Sequence, residues 1–190
     1  IMIWTPLEIA ANLMTAICII LAGRNNVHTW WTGIVACVLF GVLFYTSKLY
    51  ADATLQIFFV VIGVLGWIGW VKTKNHPALK ITHADKSTLV FSIAAALLVA
   101  FGYGLMLHTY TDAYAPWIDS LVLTFSVVAQ LLLMNRRVET WPVWLLVNTL
   151  SVPLFWSREL YLTSILYAGF WVNALWSWKH WMDLMDDKKG

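Results

Sequence analysis

The stretch ELYLTSILYAGFWVNALWSWKHW, residues 159–181, decides what kind of protein this is. About 20 apolar residues, each rising about 1.5 Å along a helix, span the hydrocarbon core of a bilayer, and this run is long enough to do so. Aromatic residues at the ends of a span form interfacial belts. Here the series Trp171, Trp176, Trp178 and Trp181 begins mid-run, with Tyr167 and the amide of Asn173 beside it. Such a line suits a place where something flat and polar is held.

An earlier copy of the same pattern lies 111 positions upstream. That offset lays Trp30 on Trp141, Leu39 on Leu150, Phe44 on Phe155, Tyr50 on Tyr161, Phe59 on Phe170, Trp67 on Trp178 and Trp70 on Trp181 without a gap. At the front, Glu8 falls on Asp119, each opening an apolar run just after a proline, Pro6 or Pro116. Single matches in apolar sequence mean little. Two Trp-x-x-Trp ends, a Leu-Tyr pair and an acidic start in one register mark an internal repeat.

With 61% hydrophobic and 12% charged residues, the chain has too many long apolar runs for one globular core and reads as an integral membrane protein. The first run follows Thr5 and Pro6 without a basic stretch before it, so it reads as a true span and not a cleavable signal. Cys18 and Cys37 both lie inside apolar runs and imply no disulfide. Periodicity and length predict seven spans, at about 5–23, 30–47, 50–71, 87–108, 116–134, 140–156 and 159–180. Between the third and fourth lies KTKNHPALKITHADK, residues 72–86, the one real linker, which is basic and contains Pro77. An odd number of spans puts the ends on opposite sides. Ten of the twelve lysines and arginines then fall on the carboxyl-terminal side, leaving only Lys48 and Arg158 opposite. The positive-inside rule therefore predicts the amino terminus outside and the carboxyl terminus in the cytoplasm.

The repeat gives these spans a geometry. Spans one to three match spans five to seven, and span four is a connector. The first and fifth helices are four crossings apart and run in the same direction, so the bundles are parallel repeats. The expected fold is an all-α membrane protein of seven transmembrane helices in a SWEET-like 3+1+3 arrangement. Its parts are a first bundle over 1–71, a basic linker and connector helix over 72–108, and a second bundle over 116–183. Repeats of this kind hold substrate near the bilayer midplane, so the architecture points to transport.

A polar side chain in hydrocarbon needs a partner or a purpose. The candidates are Asn12, Gln56, Gln130, Asn148, Tyr167 and Asn173. Helical spacing puts Trp141, Trp144, Asn148, Ser151 and Phe155 on one face of span six, and Asp119, Leu123, Ser126 and Gln130 on one face of span five. In span three, Gln56, Val60, Gly63, Trp67 and Trp70 share a face; span seven repeats the line as Tyr167, Trp171, Ala174, Trp178 and Trp181. Asn173, Trp176 and His180 make a second stripe. Amides in such positions also serve as hydrogen-bonding glue between helices. Trp4, Trp30, Trp31, Trp117 and Trp141 lie near span ends and are expected in the interfacial belts.

Some chemistries are not provided for. Glu8, Asp52, Asp119 and Glu159 all lie near span ends, and ion-coupled carriers commonly need ionisable groups in the pathway. Passive movement down a gradient is the expectation. No phosphate-cradling Gly-rich loop, intramembrane protease set or retinal-type lysine is visible, so no enzyme or seven-helix receptor is expected. Neither a cofactor, a metal nor a nucleic-acid partner is implied.

Three pieces resemble a known family. LYADATLQ (residues 49–56), the closing Gly66-Trp67-x-x-Trp70, and Arg-x-Glu-x-Trp-x-x-Trp-x-x-x-Asn from Arg137 to Asn148 are similar to the PnuC family of bacterial nicotinamide riboside transporters. The likeness covers nearly the whole chain, is carried by residues 29–70 and 116–155, and is weakest in the linker and span four. It implies facilitated diffusion of nicotinamide riboside, a vitamin B3 form, across the bacterial inner membrane for NAD biosynthesis. A cytoplasmic kinase would trap the riboside by phosphorylation, and association into a homo-oligomer is compatible with it. Tryptophan faces would hold the pyridinium cation, at about 0.5–2 kcal/mol per contact. The resemblance and the stripes together nominate Gln56, Trp67, Trp70, Gln130, Asn148, Tyr167, Asn173 and Trp176 for substrate binding. Relatives often have Asn where Ala36 and Gly63 stand here, and Asn173 is not a usual family position, which shifts weight toward the second repeat. The alternative is a same-fold carrier of another vitamin or nucleoside, such as thiamine.

Overall fold

Pro6 and Pro116 each stand at the start of a helix, where the missing N–H would have had no partner and the fixed φ is already helical. From these starts a computed structural model builds seven α-helices: α1 (Pro6–Gly23), α2 (His28–Thr46), α3 (Tyr50–Lys74), α4 (Lys86–Tyr110), α5 (Pro116–Met134), α6 (Thr140–Ser157) and α7 (Tyr161–Asp186). It describes residues 5–46, 50–74, 80–111, 113, 115–157 and 161–186. The expectations resting on Trp4, Lys48, His76, Pro77, Arg158, Glu159, Lys188 and Lys189, and on the side chains of Asp52 and Phe155, lie outside the described residues. The helices coincide with the seven expected spans, with α7 continuing to Asp186. By length and composition, α1, α4 and α5 can each cross a membrane, and His28–Val42 and Gln56–Lys72 are shorter apolar stretches.

The chain divides into two compact units, Ile1–Lys80 and Ile81–Gly190. The division falls inside the basic linker. In the first unit α2 packs against both α1 and α3; in the second, α4 packs on α5, α5 on α6 and α6 on α7.

The repeat is a repeat of contacts as well as letters. In the first unit Asn25 takes a left-handed φ of 53°, and in the second Arg136 takes 51°, 111 positions later. Each sits in a turn that closes a helix the same way. Asn26 N–H donates to Leu21 O at 2.9 Å, and Arg137 N–H donates to Leu132 O at 2.9 Å. A threonine hydroxyl then ties each turn back to the preceding helix: Thr29 donates to Cys18 O at 2.7 Å and Thr140 to Ala129 O at 2.8 Å. In a membrane such an interhelical bond contributes about 0.6–2 kcal/mol.

The tryptophans repeat too, and they correct the belt expectation. Trp30 and Trp141 are each only 2% exposed. Trp30 meets Trp70 edge-on, with ring centroids 5.5 Å apart, and Trp141 meets Trp181 in the same way at 5.4 Å. The edge-to-face arrangement directs a positive ring edge at a negative ring face, worth about 0.5–1.5 kcal/mol beyond the area buried. In the first unit the approach needs a glycine, since a Cβ on Gly66 would lie 2.4 Å from Trp30 Cζ3. Trp31 and Trp117 remain exposed.

In the second unit, small residues bring α4 and α5 together. Ala96, Ala100 and Gly104 are buried one turn apart, and a Cβ on Gly104 would crowd Trp117 Cε3 at 2.7 Å and Ser120 Oγ at 3.3 Å. Small residues at such spacing let two backbones approach closely. Phe125, Val128, Ala129, Leu132, Val143 and Val147 fill the core between α5 and α6.

The segment before α4 is strapped to the α5–α6 turn. Thr82 N–H donates to Arg136 O at 3.1 Å, and Val138 N–H returns a bond to Thr82 O at 3.0 Å. Arg137 Nη1 donates to Thr82 Oγ1 at 2.5 Å and His83 O at 3.0 Å. Glu139 accepts from Ala84 N–H at 2.8 Å and pairs with His83 Nδ1 at 2.8 Å. The Arg-x-Glu of the family-like sequence is thus the clasp of a strap outside the helices.

Candidate functional site

On α6 the spacing predicted one polar and aromatic face, and the structure buries it. Trp141 and Asn148 are buried, Ser151 is fully buried and Trp144 is half-buried. Asn148 is 4% exposed, and the Ser151 hydroxyl has no hydrogen-bond partner among the described residues. Two residues beyond Ser151 stands Pro153, inside the helix. Proline removes the N–H that would satisfy the Thr149 carbonyl, weakening α6 at this level.

The inward line of α7 comprises Ser164, Ala174, Ser177 and Trp181, all buried, with Tyr167 half-buried along it. Two bonds fix the register of α7 on α6. Ser164 Oγ donates to Val152 O at 2.8 Å, and Trp171 Nε1 donates to Thr149 Oγ1 at 3.0 Å. The segment 149–152 therefore runs beside 164–171, putting Ser151 at the level of Tyr167 and Asn148 next to it. The first unit repeats this crossing with different side chains. Gln56, which corresponds to Tyr167, lies with its Cβ 3.7 Å from the position a Cβ would take on Gly41, which corresponds to Val152.

Gln130 is half-buried on the α5 stripe that also carries Asp119, Leu123 and Ser126. The Thr140–Ala129 bond puts Gln130 at the level where α6 begins. Asn148 lies eight residues further along α6, or about 12 Å at 1.5 Å per residue. The two amides are at different depths.

The other nominated residues separate into two groups. Trp67 is exposed on α3 and Asn173 half-buried on α7. Trp70 is 1% exposed and committed to Trp30 inside the first bundle, so its place is structural. Trp176 is 48% exposed, with Ile165 and Val172, on an exposed apolar face of α7, its ring stacked on His180 at 5.1 Å. Helical spacing alone could not tell inward from outward stripes on α7, where both carry aromatics.

Sequence reasoning overlooked Thr149, the acceptor for Trp171, and the clasp residues Arg137 and Glu139, although the motif containing them was visible. Among the described residues no three His, Cys, Asp or Glu side chains form a group able to hold a metal. What the second unit offers at mid-helix is an amide, hydroxyls and aromatic faces. Such groups can recognise a neutral or cationic aromatic molecule bearing hydroxyl and amide groups.

Comparison with known proteins bears on what that molecule is. The family described as nicotinamide mononucleotide transporter matches residues 5–183. The nicotinamide riboside transporter PnuC of Escherichia coli (strain K12) is 26% identical over 204 residues, covering 93% of this chain and 85% of the relative. PnuC of Neisseria mucosa is 25% identical, covering 92% of this chain and 71% of the relative. The riboflavin/roseoflavin transporter RibM of Streptomyces davaonensis is 24% identical, covering 94% and 84%. The crystal structure of the vitamin B3 transporter PnuC has the same fold, with a TM-score of 0.73 over 95% of this chain and 82% of that one, at 24% identity.

Proposed function

The chain belongs to the nicotinamide mononucleotide transporter family and is a membrane transporter, not an enzyme, and on that premise we propose that it carries nicotinamide riboside by facilitated diffusion. The observation that carries this reading is Asn148, an amide side chain on α6 that is only 4% exposed, one turn from Ser151, which lies level with Tyr167. Asn148, Tyr167, Gln130 and Asn173 in the second unit, and Gln56 in the first, are each candidates for pairing with the carboxamide or ribose hydroxyls of nicotinamide riboside. Its pyridinium suits aromatic faces such as Trp67. In this account Trp70 supports the fold through its contact with Trp30.

The phosphorylated mononucleotide fits less well. All twelve lysines and arginines lie in linkers or near span ends, so a phosphate entering mid-helix would meet no cation. The same shortage of mid-helix charge favours passive transport, made one-way by a cytoplasmic kinase that phosphorylates the riboside. The bias of basic residues supports an orientation in the inner membrane with the amino terminus outside and the carboxyl terminus in the cytoplasm.

The likeness to RibM favours a second reading, a carrier of another vitamin with the same fold; thiamine is a further candidate. Uptake of labelled nicotinamide riboside into vesicles containing the purified protein separates the two. Saturable uptake that excess unlabelled riboside abolishes, and that riboflavin, thiamine and the mononucleotide do not, supports the riboside. Competition by riboflavin or thiamine alone transfers the assignment to that vitamin.

A further inference from the structure

Eight serine and threonine side chains are buried among the described residues: Thr29, Thr32, Ser120, Thr124, Thr140, Ser151, Ser164 and Ser177. Six of them donate to a backbone carbonyl, as hydroxyls in apolar surroundings must. Ser151 and Ser177 have no partner for their hydroxyl oxygens.

Ser177 has a packing explanation. It corresponds to Gly66 in the first repeat, where a Cβ would lie 2.4 Å from the ring of Trp30. A small residue at that position admits the tryptophan in the first repeat, and serine is the small residue at the corresponding position of the second. Ser151 has no such explanation. Its counterpart is Phe40, so the position accommodates a large side chain and does not demand a small one. What sets Ser151 apart is its hydroxyl and its surroundings. It stands one turn from Asn148, with about 5–6 Å between Cβ atoms at that spacing, and level with Tyr167.

We propose that Ser151 is a further binding residue, donating a hydrogen bond to a hydroxyl of the transported molecule beside Asn148. The inference rests on the reading of the chain as a riboside carrier. In this structure Ser151 is sealed, and Pro153 supplies the means of reaching it. The proline leaves the Thr149 carbonyl without its helical donor, a break at which helices kink. The first repeat has Val42 at the corresponding position, so only the second unit combines the break with the hydroxyl.

The test uses the full-length purified protein, as wild type, Ser151→Ala and Ser177→Ala. Each is titrated calorimetrically with nicotinamide riboside and, separately, with riboflavin, and its ligand-free thermal midpoint is measured. Ser151→Ala is expected to weaken the bound ligand roughly tenfold while leaving the midpoint unchanged or higher, because an unpaired hydroxyl has been removed. Ser177→Ala is expected to leave affinity unchanged. Affinity within twofold of wild type for Ser151→Ala, or affinity and midpoint falling together, overturns the proposal. If wild type binds riboflavin and not the riboside, the riboside reading fails. The same ratio, read on the ribityl hydroxyls, still decides Ser151. Folded wild type that binds neither ligand overturns both.

Discussion

Gly66→Ala is the sharpest perturbation of the bundle. The added Cβ would lie 2.4, 2.5 and 2.7 Å from Trp30 Cζ3, Cη2 and Cε3. Carbon atoms prefer about 3.5–4.0 Å, so the ring must retreat by about 1 Å. It has little room, being 2% exposed and edge-on to Trp70. Overpacking of this kind costs about 1–3 kcal/mol, and the better helix propensity of alanine returns up to about 1 kcal/mol. The net loss is up to about 2 kcal/mol, or a fall of up to about 8 °C in the thermal midpoint for a chain of this size. Gly69→Ala is the control, three residues along α3, because a Cβ there meets nothing within 4 Å. It gains the propensity without the clash and should hold or raise the midpoint. Thermal unfolding of both variants in detergent, followed by circular dichroism, makes the comparison. Equal midpoints for the two variants would refute the argument that Gly66 exists to admit Trp30.

Asn148→Ala should weaken riboside binding by about 5- to 150-fold, the loss of about 1–3 kcal/mol from a buried polar contact, with little change in midpoint by the same assay. Glu139→Ala leaves the Ala84 N–H without its acceptor and removes the His83 pair. It should cost about 1–3 kcal/mol and speed hydrogen exchange at the Ala84 amide. Thr29→Val and Thr140→Val each delete a corresponding interhelical bond, so their stability losses, about 0.6–2 kcal/mol, should be similar in denaturation. Asp85 caps α4, and the Ser87 hydroxyl, then the Thr88 N–H, hold its carboxyl below the ordinary value. With the folded-state pKa depressed, the capping contribution is complete above the unfolded pKa and is lost as pH falls through the folded one. Asp85→Ala should therefore flatten the acid limb of a midpoint-versus-pH curve below about pH 4.

The seven helices and the repeat were legible because both are written in local or fixed-offset patterns. Apolar length gives the spans, and one register lays Trp30 on Trp141 and Trp70 on Trp181. What those tryptophans do was not legible. The 111-residue offset pairs each residue with its counterpart, whereas Trp30 touches Trp70 across a bundle, 40 positions away in the same repeat. Proximity to span ends therefore suggested an interfacial belt where the structure has a buried aromatic pair. Gln130 and Asn148 show the same limit in another form. Helical spacing puts each on a polar face, but their separation in depth depends on where α5 turns into α6, which the Thr140–Ala129 bond fixes. The Arg137 and Glu139 clasp reaches back more than fifty residues to Thr82, His83 and Ala84, a contact that no helical periodicity encodes.

Transport of nicotinamide riboside is the central claim, and a counterflow measurement tests it most directly. Vesicles containing the purified protein are loaded with unlabelled riboside and diluted into labelled riboside at constant pH and ion composition. The account predicts rapid transient accumulation of label without any ion gradient, and a loss of that accumulation in Asn148→Ala. No counterflow with the riboside from folded wild-type protein, alongside clear counterflow with riboflavin or thiamine, would contradict it.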